Sequence, residues 1–269
     1  MGLTLIVTER LDPHAEIIEK ELERRGHTYL RFDVEDFPQQ SSGSYSVEDG
    51  LETLEIGGHR IAIDDVDAVW YRRTEPTDLS EPYTAPDRRS ARFEGGAFVQ
   101  GLWQRLSHVR WVSSPAAIRA ASDKFDQLIR ANQCGFSIGS RLADISSARG
   151  IIRRVIPAGY GIRVTVFGER VFACRLLAQA HGDRRAYNWD RSESLHAHEA
   201  TTLSEDVAQS CRLLVRDYGL AYAAIDMVVT PNGEHVFLEL NPNGEWAWIE
   251  KRTGLPLGKA LIDTLRRAS

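Results

Sequence analysis

Three oxygen-bearing side chains stand close together near the carboxyl end of the chain. Asp226 lies in the segment AAIDMVV, and Glu239 and Asn241 lie in VFLELNPN, with a turn at Asn232-Gly233 between the two segments. A hairpin with that turn places Asp226 almost opposite Glu239, and residues two apart on a strand point to one face. Oxygen ligands without His or Cys suit Mg²⁺, and a cation relieves the repulsion between facing carboxylates. The sequence therefore predicts a magnesium site on this hairpin.

Each of these residues also has a simpler explanation when it is taken singly. A lone acid at the end of a strand is commonly a cap or a solvated side chain, and Asn-Pro-Asn-Gly at 241–244 is a good turn by itself. Three oxygen ligands at this spacing favour the metal site over that explanation.

The segments that must position this hairpin predict an α/β fold. Leu3–Val7, Tyr29–Val34 and Val66–Tyr71 are apolar runs typical of buried parallel strands. Asp12-Pro13 supplies an N-cap and a first helical residue between the first two strands, which makes a β-α-β opening. From Arg163 onward, apolar and polar residues alternate as they do in antiparallel strands.

Three regions are predicted along the chain. Residues 1–113 form a doubly wound α/β domain, 114–160 a linker and a shortened central region, and 161–269 a C-terminal α+β domain. Within the central region we expect a strand at Phe136–Leu142 and a short helix at Ile145–Arg154.

The composition limits the classes of function. The chain has 269 residues and a net charge of −5, which argues against a broadly basic nucleic-acid-binding protein. No stretch is apolar enough for a membrane span or a signal peptide, so we expect no membrane partner. The three cysteines have no paired spacing and predict reduced thiols, as in a cytoplasmic protein.

Four longer segments are similar to the ATP-grasp ligases that mature ribosomal peptides. They are VWYRRTEP, WVSSPAAIRAASDKFDQL, YGIRVTVFGERVFACRLLAQA and AIDMVVTPNGEHVFLELNPNGEWAWIEKRTGLPL. The last is the most specific, because it resembles the hairpin in which an Asp and a later Glu-x-Asn hold the magnesium ions bridging the ATP phosphates. The likeness is to the MvdC/MvdD type, which cross-links microviridins and other graspetides. It implies a pre-ATP-grasp domain followed by an ATP-grasp-like domain.

The resemblance implies roles for the residues that match the family's motifs in the hairpin and before it. Asp226, Glu239 and Asn241 match the magnesium ligands. Lys124 matches the lysine that opens the helix after the first domain and reaches the nucleotide phosphates. An exposed helix lysine with no ligand is the alternative for Lys124.

A second group of residues matches the family around the transferred phosphate. Arg163 matches the arginine of an Asp-x-Arg strand, which stabilises the γ-phosphate and the acyl phosphate formed from it. Arg175, Arg185 and Asn188 lie where related ligases place groups around the acceptor and the phosphate. Arg163 and Arg175 are the expected catalytic residues, with solvent-facing arginines as the alternative.

The chain departs from the family in its central region. About 15 residues separate GFSIG from VIPAGYGIR, and a small folded unit needs about 50. The four lysines of the chain provide no candidate for the family's second lysine, and Gly161 stands where the family has Asp. A degenerate relative, a compact ligase with an abbreviated lid, and a truncated form of a longer sequence are all open.

From this resemblance we expect an ATP-dependent ligase that uses ATP and Mg²⁺ on a ribosomal precursor peptide. It would join an Asp or Glu carboxylate to a Lys amine or a Ser/Thr hydroxyl through an acyl phosphate. The alternative is a catalytically degenerate homologue that binds a peptide or acts as an accessory module. A homodimer is left open, and no nucleic-acid partner is expected.

Overall fold

The computed structural model describes residues 2–37, 41–46, 48, 50–72, 85–138, 144–146, 150–152, 159–178 and 196–266. The chain forms two compact units, one of Met1–Pro115 with Leu265–Ser269 and the other of Ala116–Thr264.

The described part of the chain contains both helices and strands, as expected for an α/β protein, and it opens with the predicted β-α-β unit. The helices are α1 (Pro13–Arg24), α2 (Ala85–Arg105), α3 (Pro115–Ala120), α4 (Lys124–Gln133), α5 (Glu205–Asp217), α6 (Ala247–Thr253) and α7 (Leu257–Leu265). The strands are β1 (Leu3–Thr8), β2 (Tyr29–Asp33), β3 (Ser41–Tyr45), β4 (Glu52–Ile56), β5 (His59–Ala62), β6 (Val66–Tyr71), β7 (Arg110–Val112), β8 (Ser137–Ile138), β9 (Asp144–Ser146), β10 (Gly150–Ile152), β11 (Tyr160–Phe167), β12 (Arg170–Ala178), β13 (His196–Thr201), β14 (Tyr222–Val229) and β15 (His235–Asn241).

The first unit contains a four-stranded parallel sheet in the order β2-β1-β6-β7. Every residue of β1 is buried, as its near-continuous apolar sequence predicts for a strand covered on both faces. Asp12 caps α1 by accepting a hydrogen bond from the His14 backbone N–H, and Pro13 opens the helix, which confirms the predicted helix start. A smaller antiparallel sheet, β3-β4-β5, completes the strands described in this unit.

The carboxyl ends of β1 and β6 carry a buried polar cluster. Thr8 Oγ1 donates to Asp12 at 2.6 Å, and Asp12 accepts a hydrogen bond from the His14 backbone N–H at 3.0 Å. The guanidinium of Arg72 lies 3.8 Å from Asp12, and Arg72 and Asp12 are 2% and 3% exposed. Burial raises the pKa of Asp12, but the hydrogen bonds of His14 and Thr8 and the charge of Arg72 outweigh it, so the net pKa is well below the ordinary value.

The second unit is built on a six-stranded sheet in the order β13-β12-β11-β14-β15-β8, in which only the β15-β8 pair is parallel. One face of this sheet packs on α4 and α5 to form the core, with residues such as Val164, Ile225, Phe237 and Leu214 fully or almost fully buried. The other face carries the charged residues of the predicted site.

In the central region one expectation needs correction and another is met in part. The segment predicted as a helix at Ile145–Arg154 contains two short antiparallel strands, β9 and β10. The strand predicted at Phe136–Leu142 is described only as β8, Ser137–Ile138, because residues 139–143 lie outside the described residues. β-branched isoleucines suit a strand pair as well as a short helix, and tertiary pairing decides between them.

None of the helices in the described ranges combines the length and the apolar character that crossing a membrane requires.

Candidate functional site

The hairpin of β14 and β15 pairs the two predicted carboxylates. Asp226 lies directly opposite Glu239, as the spacing predicts, and Asn241 lies opposite Ala224. The register shifts next to Asp226, so that Met227 pairs with Phe237. The turn runs from Thr230 to Glu234, with the Gly233 backbone N–H donating to Thr230 O at 2.9 Å. Gly233 has a φ of 84°, which a glycine adopts without strain.

Two cations hold these carboxylates. Arg163 on β11 lies opposite Asp226 and binds both its oxygens, with Nη2 donating to Oδ2 at 3.1 Å. At the start of α4, Lys124 Nζ donates to Glu239 Oε2 at 3.1 Å. The four charges balance formally, so each carboxylate has a counter-charge. An anionic ligand such as a phosphate would therefore have two cations, Lys124 and Arg163, close to two carboxylates that can bind a divalent ion.

Burial distinguishes the two ion pairs. The Arg163 and Asp226 side chains are 14% and 3% exposed, whereas those of Lys124 and Glu239 are 41% and 37% exposed. Burial raises the pKa of Asp226 to about 6, with Arg163 opposing that rise and Glu239 adding to it. Burial lowers the pKa of Arg163, but the charge and hydrogen bonds of Asp226 outweigh it and the net pKa is raised.

The donor set of this hairpin fits magnesium. Two carboxylates and an amide oxygen are hard ligands, and Mg²⁺ keeps several waters or phosphate oxygens beyond its few protein ligands. Asn241 Oδ1 accepts a hydrogen bond from the Asn243 backbone N–H at 3.0 Å, which orients the amide oxygen within the turn. Among the described residues, no group of three or more His, Cys, Asp and Glu side chains could hold a metal by itself. An ion here would therefore also rely on Asn241, water or phosphate.

Gln127 is a residue of the site that the sequence analysis missed. Its Nε2 donates to Ala121 O at 2.6 Å and to Leu240 O at 2.8 Å, and its Oε1 accepts from Leu240 N at 3.0 Å. Gln127 is 1% exposed and lies one turn after Lys124, while Leu240 lies between Glu239 and Asn241. This contact therefore fixes the start of α4 against the end of β15. A glutamine on an amphipathic helix gives no sequence signal for such a role.

Arg175 is not brought to the charged face. The β11-β12 pairing places Arg163 opposite Cys174 and Ile162 opposite Arg175, so Arg175 points to the helix-covered face. There its guanidinium stacks over the Tyr160 ring, 3.9 Å from the centroid. Arg175 therefore lies on the opposite face of the sheet from Arg163 and Asp226, contrary to the expectation that Arg175 acts beside Arg163. Arg185 and Asn188, the other two residues of that expectation, lie outside the described residues.

One family model matches the first part of the chain. Residues 3–119 match the family model described as the MvdD pre-ATP grasp domain. A comparison with curated proteins gives no significant match.

Solved structures resemble the whole chain. Macrocyclase MdnB from Microcystis aeruginosa MRC has a TM-score of 0.81 and 22% identity, over 100% of both chains. Macrocyclase MdnC from the same organism, bound with precursor peptide MdnA, has a TM-score of 0.80 and 23% identity, over 97% of this chain and 98% of that one. A RiPP-associated ATP-grasp ligase from Chryseobacterium gregarium, in complex with ADP and a leader and core peptide, has a TM-score of 0.82 and 21% identity, over 98% of this chain and 96% of that one. The described residues therefore have the fold of ATP-grasp RiPP ligases.

Proposed function

We propose that this chain, an ATP-grasp protein with an MvdD-type pre-ATP-grasp domain, is an ATP-dependent ligase that acts on a ribosomal precursor peptide. The observation that carries the proposal is the convergence of Asp226, Glu239, Lys124 and Arg163 on one face of the sheet. Asp226 and Glu239 can bind a metal, and Lys124 and Arg163 are cations beside them. A metal-bound polyphosphate needs both kinds of group close together. The peptide partner is carried over from relatives that were solved with precursor or core peptides.

The proposed roles follow from charge and position. Asp226, Glu239 and Asn241 hold Mg²⁺, which when bound neutralises and orients the phosphates. Lys124 binds the phosphates from the start of α4, and its ion pair with Glu239 is exposed enough for phosphate to replace the carboxylate. Arg163, fixed by Asp226, stabilises the charge on the γ-phosphoryl group during its transfer.

The proposed reaction has two balanced steps. A carboxylate oxygen of an Asp or Glu side chain attacks the γ-phosphorus, the bond to the bridging oxygen breaks, and ADP leaves. The nitrogen of a Lys or the oxygen of a Ser or Thr then attacks the acyl carbon, inorganic phosphate leaves and the nucleophile loses a proton. Whether an amide or an ester forms depends on which nucleophile the bound peptide provides.

The proposal includes the three predicted regions, with limits at 1–113, 114–160 and 161–269.

The central region favours a second candidate. Gly161 replaces the Asp of the family's Asp-x-Arg pattern, and the segment that would cover the nucleotide is short. ATP-grasp sites use a cover to exclude water from the acyl phosphate. A homologue that keeps the fold but has lost catalysis would act as a peptide-binding or accessory module.

Nucleotide binding separates the two candidates. We expect ATP with Mg²⁺ to raise the melting temperature of the wild type, and Asp226→Ala and Glu239→Ala to abolish that rise. Glu169→Ala, an exposed acid in the β11-β12 turn, is the matched control and keeps the rise. No rise in the wild type would exclude the ligase, and a rise that survives both alanine variants would exclude the metal assignment.

A further inference from the structure

A short turn of four residues, 241–244, directly follows the strand that carries Glu239, and we call it the Asn241 turn. Its first residue, Asn241, is exposed, whereas Pro242 and Gly244 are buried. The Gly244 backbone N–H donates to Asn241 O at 3.3 Å, which closes the turn. The proposed magnesium ligand Asn241 therefore stands at the exposed start of a turn whose end is packed into the protein.

The end of the Asn241 turn lies directly on β14. A Cβ atom built on Gly244 would overlap the Cβ of Ala224, so only a residue without a side chain lets the two backbones come this close. Ala224 is two residues before Asp226, and its methyl group therefore points to the same face of the sheet as the Asp226 carboxylate. The turn thus returns over the face that carries the charged site.

A buried tyrosine holds the turn in this place. Tyr222 is four residues before Asp226 on β14, is 2% exposed, and its hydroxyl donates to Gly244 O. The Tyr222 ring stacks on Phe167, its opposite on β11, with the ring centroids 4.7 Å apart. The sheet fixes the ring, and the hydroxyl supplies the donor that a buried carbonyl requires.

The same segment contacts the fixed cation of the site. Arg163 Nη1 donates to Glu245 O at 3.4 Å, and Glu245 directly follows Gly244. Arg163 also keeps its bonds to both oxygens of Asp226. A displaced turn would therefore move the Asn241 amide oxygen, while Arg163 would remain held by its carboxylate partner.

Ring packing alone does not account for a tyrosine at this position. A phenylalanine would make the same stack on Phe167, but it would leave out the hydrogen bond to the turn. Groups that orient a metal ligand without touching the metal contribute about tenfold or more to metal affinity. The Tyr222 hydroxyl stands in that relation to Asn241, one turn away from it.

We propose that Tyr222 is a positioning residue for the metal of this site. Its hydroxyl holds Gly244, and the closed turn then holds the amide oxygen of Asn241 beside Glu239. The inference rests on the proposed function, because it concerns the magnesium ion of the same reaction. Tyr222 itself contacts neither metal nor nucleotide, so its effect is on the metal and not on ADP alone.

The test measures metal-bound and metal-free nucleotide separately on the full chain. Binding of Mn²⁺-ADP is followed by the water-proton relaxation rate, which rises when the protein immobilises Mn²⁺, and binding of ADP alone is followed by calorimetry in EDTA. We expect Tyr222→Phe to weaken binding of Mn²⁺-ADP about tenfold and to leave binding of ADP alone unchanged.

A double-mutant cycle and a matched tyrosine separate positioning from general stability. In the Asn241→Ala background, Tyr222→Phe should have no further effect on Mn²⁺-ADP, because Tyr222 acts through Asn241. Tyr218→Phe is the control, since Tyr218 is also buried in the second unit but its hydroxyl donates to Asp126 at 2.8 Å. This control keeps the wild-type affinity for Mn²⁺-ADP.

A second pair of variants tests the turn without changing Tyr222. Gly244→Ala should weaken binding of Mn²⁺-ADP because the new methyl group pushes the turn off Ala224, and adding Ala224→Gly should restore part of the affinity.

Three results would overturn the inference. They are wild-type affinity for Mn²⁺-ADP in Tyr222→Phe, an equal loss of affinity for ADP alone, and an effect of Tyr222→Phe that persists in Asn241→Ala. The proposed function fails by a different result, a wild type that neither binds Mn²⁺-ADP nor melts at a higher temperature with ATP and Mg²⁺, and that result would overturn the inference with it.

Discussion

The two ion pairs of the site differ in how freely they can exchange partners. The pair of Lys124 and Glu239 is about two-fifths exposed, and an exposed ion pair contributes at most about 1 kcal/mol. Phosphate or metal can therefore replace either partner at little cost. The pair of Arg163 and Asp226 is buried, and removing one partner would leave an uncompensated charge in the interior. We infer that Arg163 and Asp226 form the fixed part of the site and Lys124 and Glu239 the adjustable part.

A second buried charge, Asp12 in the first unit, predicts a pH dependence of stability. Because folding lowers the pKa of Asp12, its contribution is complete above about pH 4 and is lost as the pH falls towards the folded pKa. Asn also caps helices, so Asp12→Asn removes mainly the charge. We expect this variant to lower the free energy of unfolding by about 2 kcal/mol at pH 7.

Urea unfolding of the wild type and Asp12→Asn between pH 3 and pH 7 measures this effect. The difference between the two proteins should shrink as the pH falls below about 4. If the difference in the free energy of unfolding stays constant with pH, Asp12 stabilises the fold through its packing and hydrogen bonds and not through its charge.

At the level of elements, the contact between α4 and β15 decides where the adjustable pair lies. Asp123 caps α4 by accepting from the backbone N–H groups of Phe125 and Asp126, so the helix begins at Lys124. Gln127 then satisfies both backbone groups of Leu240. The Asp123 cap determines at which residue α4 begins. The hydrogen bonds of Gln127 hold that end of the helix against β15, the strand that carries Glu239.

Replacement of Gln127 should therefore affect both stability and nucleotide binding. Gln127→Leu keeps the approximate volume but leaves the Leu240 backbone groups unpaired, and we expect a loss of about 2 kcal/mol in the free energy of unfolding. The melting-temperature rise with ATP and Mg²⁺ should fall as well, because Lys124 loses its position. Gln133→Leu, at the exposed end of the same helix, is the matched control.

Gln127→Asn and Gln127→Glu give a further check on the positioning role. If Gln127 only filled space, Gln127→Leu would bind nucleotide as the wild type does once its lower stability is taken into account. If Gln127 positions Lys124, the melting-temperature rise with ATP and Mg²⁺ should be smaller in Gln127→Leu than in the wild type. Gln127→Glu should then restore part of that rise.

Among the described residues, each compact unit contains a hydrophobic core cluster of its own. Leu5, Phe32 and Val69 belong to the first, and Leu214 and Ile225 belong to the second. The charged site lies entirely in the second unit. Local stability can therefore differ between the units, since each buries its own apolar surface.

Hydrogen exchange on matched core variants tests this division. Leu5→Ala and Leu214→Ala each remove a fully buried leucine side chain, at a cost of about 3 kcal/mol. We expect Leu5→Ala to reduce amide protection within residues 2–112 and to leave β11, β14 and β15 protected. Leu214→Ala should do the reverse. Equal loss of protection in both units after either change would show that the chain unfolds as a single cooperative body.

Local patterns were sufficient wherever the relevant residues are neighbours in the chain. Asp12-Pro13 predicts the start of α1 because a cap and the residue it caps lie within one turn. The opposition of Asp226 and Glu239 follows from one turn and the alternation of side chains along two strands. The register shift beside Asp226 lets Phe237 and Leu240 both face the core while Glu239 faces the site.

The face on which Arg175 lies can be predicted from the sequence of the β11-β12 hairpin. The predicted turn at Gly168-Glu169 pairs Phe167 with Arg170, and counting along both strands then pairs Arg163 with Cys174. Arg175 must therefore point to the other face. The role beside Arg163 that the likeness to the family implies for Arg175 does not agree with this register.

The sequence by itself determined the strands of the parallel sheet, the start of α1 and the pairing of the two carboxylates, because these depend on interactions over a few residues. Only the tertiary structure decided that Lys124 meets Glu239, that Gln127 holds α4 to β15, and that α6 brings Trp248 and Arg252 to the face of Arg163. Those contacts join elements far apart in the chain, and helix packing against the sheet selects them. Periodicity specifies which face of an element is apolar, but the partner of that face is set only when the whole core is packed.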